Sequence, residues 1–186
     1  MDNPQVTDTQ IAWLAGILDG EGSITMGYDK KKHYTPMIAV VNTNPEMIFE
    51  VCRILNELGC AFHAAARGDN RGSLGEKTCW QIQVHRLTSV EKILRRITPW
   101  LIAKKSRAQL MLVFVSSRIP KLNIKPRGRG SPSPYSEEEI KVGERIRHLN
   151  DCTQDSEKEK IQSELRGKLA ELAEMTNRLG RMEYSG

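Results

Sequence analysis

The chain has 186 residues and a mass of 21.1 kDa, with 28 Lys+Arg against 23 Asp+Glu, a formal charge of +5 and a pI near 9.1. With 39% hydrophobic and 27% charged residues it can build a core, since a chain of this size hides roughly two-thirds of its unfolded surface; disorder throughout is excluded. No apolar run approaches the roughly 20 residues that cross a bilayer, and the opening MDNPQVTDTQ has neither a basic n-region nor an apolar h-region. A soluble, intracellular protein with no membrane partner is expected, cytoplasmic or organellar according to its host. Cys52, Cys60, Cys79 and Cys152 form no CxxC pair and meet no His at zinc-finger spacing, so they read as reduced thiols, mostly in the core.

In chain order, Thr7 and Gln10 cap a helix through IAWLAGILDG, which ends where Gly20 and Gly22 offer backbone freedom. Ser23–Tyr28 and Tyr34–Val41 read as a hairpin with Asp29 to His33 at its tip. Asn44 and Pro45 begin the next helix, and Gly59 closes it. Phe62–Arg67 and Thr78–Val84 form a second strand pair around a polar loop, Thr88 with Glu91 caps a further helix, and Lys104–Ser117 is a helix entered from a break at Pro99. This α, ββ, α, ββ, α, α order is α+β. Its hairpins exclude a doubly wound parallel sheet, and no GxGxxG or Walker loop is present.

Arg118 to Tyr135 is rich in Pro, Gly and Ser, holds five basic residues and no acid, and reads as an extended arm. Capping boxes at Ser136/Glu139 and Ser156/Glu159, with a stripe of Ile161, Leu165, Leu169, Leu172 and Leu179, predict helices beyond it. The organisation is therefore a core over 1–118, a basic arm over 119–135 and a helical extension over 136–186. Charge divides at the same place. Residues 1–135 carry 19 Lys+Arg and 11 Asp+Glu, net +8, and residues 136–186 carry 9 and 12, net −3. A polyanionic partner belongs to the first part.

The first helix carries the chemistry. Glycine inside a helix costs about 1 kcal/mol relative to alanine, so Gly16 and Gly20 need a compensating contact. Ala12, Gly16 and Gly20 recur every four residues and clear one face for close approach of another backbone. The motif occurs once in the chain, which points to the same helix of a second copy in a two-fold dimer. Asp19 and Glu21 stand at the helix C-terminus, where carboxylates oppose the macrodipole and call for a counter-charge such as a metal cation.

Leu14-Ala15-Gly16-Ile17-Leu18-Asp19-Gly20-Glu21-Gly22, followed by Ser23-Ile24, resembles the motif that names the LAGLIDADG homing endonucleases, in the branch with one motif per chain. The resemblance spans roughly Thr7 to Ser117. It implies the αββαββα fold with an antiparallel, saddle-shaped sheet, here followed by C-terminal helices, and an intron-encoded, homodimeric DNA endonuclease. It implies Glu21 and the Gly20 carbonyl as ligands of Mg²⁺, with Mn²⁺ able to substitute and Ca²⁺ supporting binding without cleavage. It further implies Asn42 and Lys104 as catalytic partners of Glu21, with Ala12, Gly16, Asp19 and Gly20 at the dimer interface and Asp19 capping the partner's helix. Glu21 and Asn42 stand where the family more often has Asp and Gln.

Alternate strand residues face one way, which assigns Ile24, Met26, Tyr28, Ile38 and Val40, then Phe62, Trp80 and Ile82, to the core. The opposite face offers Ser23, Thr25, Asp29, His33, Thr35 and Met37, then His63, Arg67, Lys77 and Gln81, for reading base edges of duplex DNA. Lys30, Lys31, Lys32, Lys121, Lys125, Arg127 and Arg129 are expected on phosphates. The favoured reading is an enzyme that makes a staggered double-strand break in a long, near-palindromic target. An RNA-splicing maturase, with RNA as partner, and a non-catalytic DNA-binding regulator on the same scaffold are the alternatives.

Overall fold

The structure is a computed structural model, and it describes residues 6–29, 33–67, 78–123 and 134–151. In order, the elements are α1 (Asp8–Gly20), β1 (Gly22–Tyr28), β2 (Tyr34–Asn42), α2 (Pro45–Glu57), β3 (His63–Arg67), β4 (Cys79–Val84), α3 (Leu87–Ile97), α4 (Lys105–Arg118) and α5 (Glu137–Asp151). Short 3-10 turns cover Thr98–Trp100 and Ile119–Asn123. The chain forms two compact units, Met1–Arg147 and His148–Gly186; of the second, residues 148–151 are described. The Ser156/Glu159 box and the leucine stripe lie outside the described residues.

Local chemistry starts most of the helices. Thr7 and Gln10 satisfy each other's backbone amides, Asn44 accepts from the Met47 amide ahead of Pro45, and Ser136 and Glu139 form a reciprocal box. Gly59 ends α2 in the left-handed region at φ 63°. The expected Thr88/Glu91 box is absent. β4 runs to Val84 and α3 starts at Leu87, so Arg86 occupies the N-cap without a side-chain bond. The Glu91 carboxylate instead binds Arg95 and the Ser116 hydroxyl of α4.

The sheet has the order β1-β2-β4-β3, all antiparallel. Ile24 and Met26, Ile38 and Val40, and Ile82 and Val84 bury one face against Leu14 and Leu18 of α1, Val51 and Leu55 of α2, Ile93 of α3 and Phe114 of α4, within one apolar cluster. Full burial of each such side chain contributes about 1.5–3 kcal/mol. Tyr28 and Trp80 share the core-facing parity but remain exposed, because each pairs at a sheet end, Tyr28 with Tyr34 and Trp80 with Asn42.

The segment read as an arm begins differently from the expectation. Arg118 is the last residue of α4 and is buried, because the Glu139 carboxylate of α5 lies 3.5 Å from its guanidinium. Glu139 also accepts from the Lys121 ammonium at 2.9 Å, the Ser117 hydroxyl at 2.9 Å and the Ser136 amide at 2.8 Å. Burial alone would raise this carboxyl; the donors and the Arg118 charge outweigh it and hold Glu139 below the ordinary carboxylate range. A depressed folded value means the stabilisation is full above the unfolded Glu value of about 4.3 and is lost as pH falls through the folded one. Glu139→Gln is expected to cost about 3 kcal/mol in urea unfolding at neutral pH, with a smaller difference from the parent at pH 3.

Candidate active site and nucleic-acid interface

α1 ends at Gly20, and Glu21 closes it with a backbone amide to the Ile17 carbonyl at 2.8 Å. Neither Gly20 nor Gly22 uses a positive φ, contrary to the expectation of special backbone freedom; among the described residues Gly59 alone does. Gly22 is required for space. A Cβ there would fall 2.8 Å from the Leu18 Cα and 3.0 Å from its carbonyl oxygen, so β1 leaves the helix along a path only glycine fits. At Gly16 and Gly20 an added Cβ meets nothing within 4 Å among the described residues, and both are exposed. Trp13, Trp100 and Ile102 are also exposed.

Asp19 is bonded within its own chain. Its Oδ2 accepts from the amides of Ile102 at 2.6 Å and Ala103 at 3.2 Å, and its Oδ1 from that of Lys104 at 2.9 Å. The carboxylate thus caps the approach to α4 of its own chain, where the amides lack helical partners. The Lys104 ammonium returns the contact, donating to the Asp19 carbonyl at 2.5 Å. Burial pushes the Lys104 amine down, the Asp19 carboxylate pulls it back up, Arg107 lowers it and the Glu21 carboxylate raises it. Glu21 and Lys104 are therefore electrostatic neighbours, although 83 positions separate them.

Glu21 is exposed, and its side chain makes no hydrogen bond or ion pair among the described residues. Asn42 reaches the same end of the sheet by register: β1 begins at Gly22 opposite Val40, and β2 runs two residues further. Its Oδ1 accepts from the Asn44 amide at 2.8 Å, turning the chain into α2 and leaving the Nδ2 hydrogens for another partner. Among the described residues no three His, Cys, Asp or Glu side chains converge, so a zinc-type cage is not matched. One carboxylate with a helix-terminal carbonyl fits a hard cation that completes its shell with phosphate and water oxygens.

The register puts Ser23, Thr25, Thr35, Met37, Gln81, His63 and Arg67 on the outward face, as expected, and adds Cys79 and Gln83, which continue the same alternation in β4. Cys79 is therefore not a core thiol. The Thr25 hydroxyl departs from the pattern: flanked across the ladder, it is shielded from solvent and has no partner among the described residues. At the hairpin end Asp29 accepts from the His33 amide at 2.9 Å and lies 3.5 Å from the His33 ring. Lys121, expected on phosphate, is committed to Glu139. Lys30, Lys31, Lys32, Lys77, Lys125, Arg127 and Arg129 lie outside the described residues.

One exposed four-stranded antiparallel sheet, four helices on its other face and an acidic helix end at the sheet's margin make up the LAGLIDADG endonuclease fold. The LAGLIDADG meganuclease I-AabMI bound to uncleaved DNA matches over 74% of this chain and 43% of its own, with a TM-score of 0.51 at 11% identity. The homing endonuclease I-CvuI in complex with the I-CreI target, in the presence of 2 mM Mg with DNA not cleaved, matches over 75% of this chain and 96% of its own, at 0.47 and 20%. The archaeal intron-encoded homing endonuclease I-Vdi141I complexed with DNA matches over 75% and 97%, at 0.48 and 11%. No protein-family model and no curated protein matches the chain. No helix among the described residues is long and apolar enough to cross a membrane.

Gly22→Ala is expected to lower the urea midpoint by an amount worth about 1–3 kcal/mol, because the new methyl meets the Leu18 backbone as well as the tip of its side chain.

Proposed function

We propose that this chain is a homodimeric, metal-dependent endonuclease of the LAGLIDADG family that cuts both strands of a long, near-palindromic duplex. The observation that carries the reading is the pairing of an exposed Glu21, its side chain unbonded among the described residues, with a neighbouring Lys104 at the end of a helix where a Cβ added at Gly16 or Gly20 meets nothing within 4 Å among those residues. Two further features support it. The outward sheet face is lined by polar side chains at alternate positions, and the fold is shared with a meganuclease bound to DNA.

Each copy would bring one Glu21 to the two-fold axis, held there by helix packing through Ala12, Gly16 and Gly20. Glu21 and the Gly20 carbonyl would hold Mg²⁺, which when bound supplies charge neutralisation at phosphate and a more acidic water. Lys104, anchored on the Asp19 carbonyl, keeps a positive charge beside the reacting phosphate and opposes the negative charge that develops there. Asn42, fixed through its Oδ1, presents the amide donors to a phosphate oxygen or a water. None of these groups acts as a covalent nucleophile. Ser23, Thr35, Met37, His63, Arg67, Gln81 and Gln83 contact base edges, and the basic excess of residues 1–135 contributes affinity that falls steeply with salt.

Incubated with Mg²⁺ and a plasmid carrying a site selected from a random library, the protein should linearise it. Glu21→Gln should bind the same site with little change and cut at least 10²-fold more slowly; retained cutting by that variant removes Glu21 from the mechanism. A parent protein that binds its site but leaves it intact in Mg²⁺ or Mn²⁺ is the regulator alternative.

Gly16→Ala separates the helix from the dimer. The methyl should favour the helix by up to about 1 kcal/mol in the single chain, yet shift sedimentation equilibrium toward monomer. Unchanged dimerisation would remove this helix face from the interface.

A further inference from the structure

The β1–β2 ribbon outruns its support. β4 pairs with β2 from Ile38 to Asn42, so residues 34–37 of β2 have β1 on one side and, among the described residues, no strand on the other. Tyr34 turns both its backbone groups toward that free edge. Its amide donates to the Tyr135 hydroxyl at 3.1 Å, and the same hydroxyl donates to the Tyr34 carbonyl at 3.4 Å. Two residues on, Pro36 faces the same edge and has no N–H to satisfy. One phenol therefore does for this edge what a neighbouring strand does further along.

That phenol is itself firmly held. The Arg118 guanidinium lies 4.3 Å from the Tyr135 ring centroid, and Phe114 of the core stacks on the ring at 6.1 Å. Arg118 also donates to the Pro134 carbonyl at 3.2 Å. Tyr34 meets Tyr135 edge-on at 5.2 Å, and α5 crosses so closely that a Cβ on Gly143 would stand 2.7 Å from the Tyr34 ring. A rigid path thus runs from the end of α4, through Tyr135, to the outer half of the ribbon.

We propose that Tyr135 is a positioning residue for sequence readout, setting where Thr35 and Met37 stand over the outermost base pairs of the target. This rests on the endonuclease reading. From Gly22 to Tyr28 the ribbon extends six steps of about 3.3 Å, about 20 Å, which spans about six base pairs at a rise of 3.4 Å. Central base pairs lie near Glu21 and the fully paired sheet. Outer ones depend on the part of the ribbon that Tyr135 steadies.

The test uses full-length protein and Tyr135→Phe, which keeps the ring contacts and loses only the hydroxyl. Duplexes enriched from a randomised library by the parent are altered one base pair at a time, and relative binding in Ca²⁺ is measured at each position. Tyr135→Phe should lose about two- to tenfold discrimination at the outer positions and less than twofold at the central ones. In the DNA-free protein, amide exchange at Tyr34 should speed up several-fold while β4 amides keep their protection. Gly143→Ala, which pushes on Tyr34 from the other side, should give the same position-dependent pattern. A profile identical to the parent's, or a loss spread evenly over all positions, overturns the proposal. If the parent itself enriches no duplex, the endonuclease reading fails, and the exchange arm still decides whether the hydroxyl steadies the ribbon: unaltered Tyr34 exchange in Tyr135→Phe overturns that.

Discussion

The site depends on one carboxylate. Asp19, in the last turn of α1, gathers three consecutive amides from the segment that leads into α4, and Lys104 reaches back to its carbonyl. A charge-assisted bond to an amide is worth roughly twice a neutral one, and here several are concentrated on one side chain. The clamp fixes the end of the first helix against the start of the fourth. It thereby brings Lys104 beside Glu21 and removes the penalty of an acid at a helix C-terminus by giving it amide donors. Glu21, two residues on, has no such side-chain tie among the described residues and is left to the solvent side.

A second cluster, around Glu139, does comparable work at the other end of the sheet. Four donors converge on a carboxylate buried under α5, and its guanidinium neighbour covers Tyr135. The two ends of the sheet are thus anchored by acids from different elements, the half-buried Asp19 and the buried Glu139, with the apolar layer between them. The C-terminal segment up to Arg147 belongs to the body and is no loose appendage.

Legibility in the sequence followed the range of the interaction. Thr7 with Gln10, Asn44 with Pro45 and Ser136 with Glu139 act over three or four residues, and the helices they start were readable from those letters alone. Strand alternation placed the two sheet faces because its period is fixed by backbone geometry. Thr88 and Glu91 had the right letters but the wrong place, since the end of β4 and the tie to Ser116 decide where α3 begins. The bonds Asp19 makes within its own chain were illegible for a different reason: their partners lie 83 to 85 positions away, and nothing local to the motif points at them. Lys121 looked like a free cation until an acid 18 positions on was folded against it, and Gly22 looked flexible when it is simply small.

The alternation of the sheet has an evolutionary consequence. Side chains at Ser23, Thr35, Met37, Gln81 and Gln83 face away from the apolar cluster, while their immediate neighbours in the chain build it. Exchanges on such a surface typically alter stability by no more than about 0.5 kcal/mol. The outward residues can therefore drift, singly or together, without bringing the protein near its unfolding threshold, whereas the Asp19 and Glu139 anchors cannot. A lineage carrying this scaffold is free to explore new ligands at nearly constant stability.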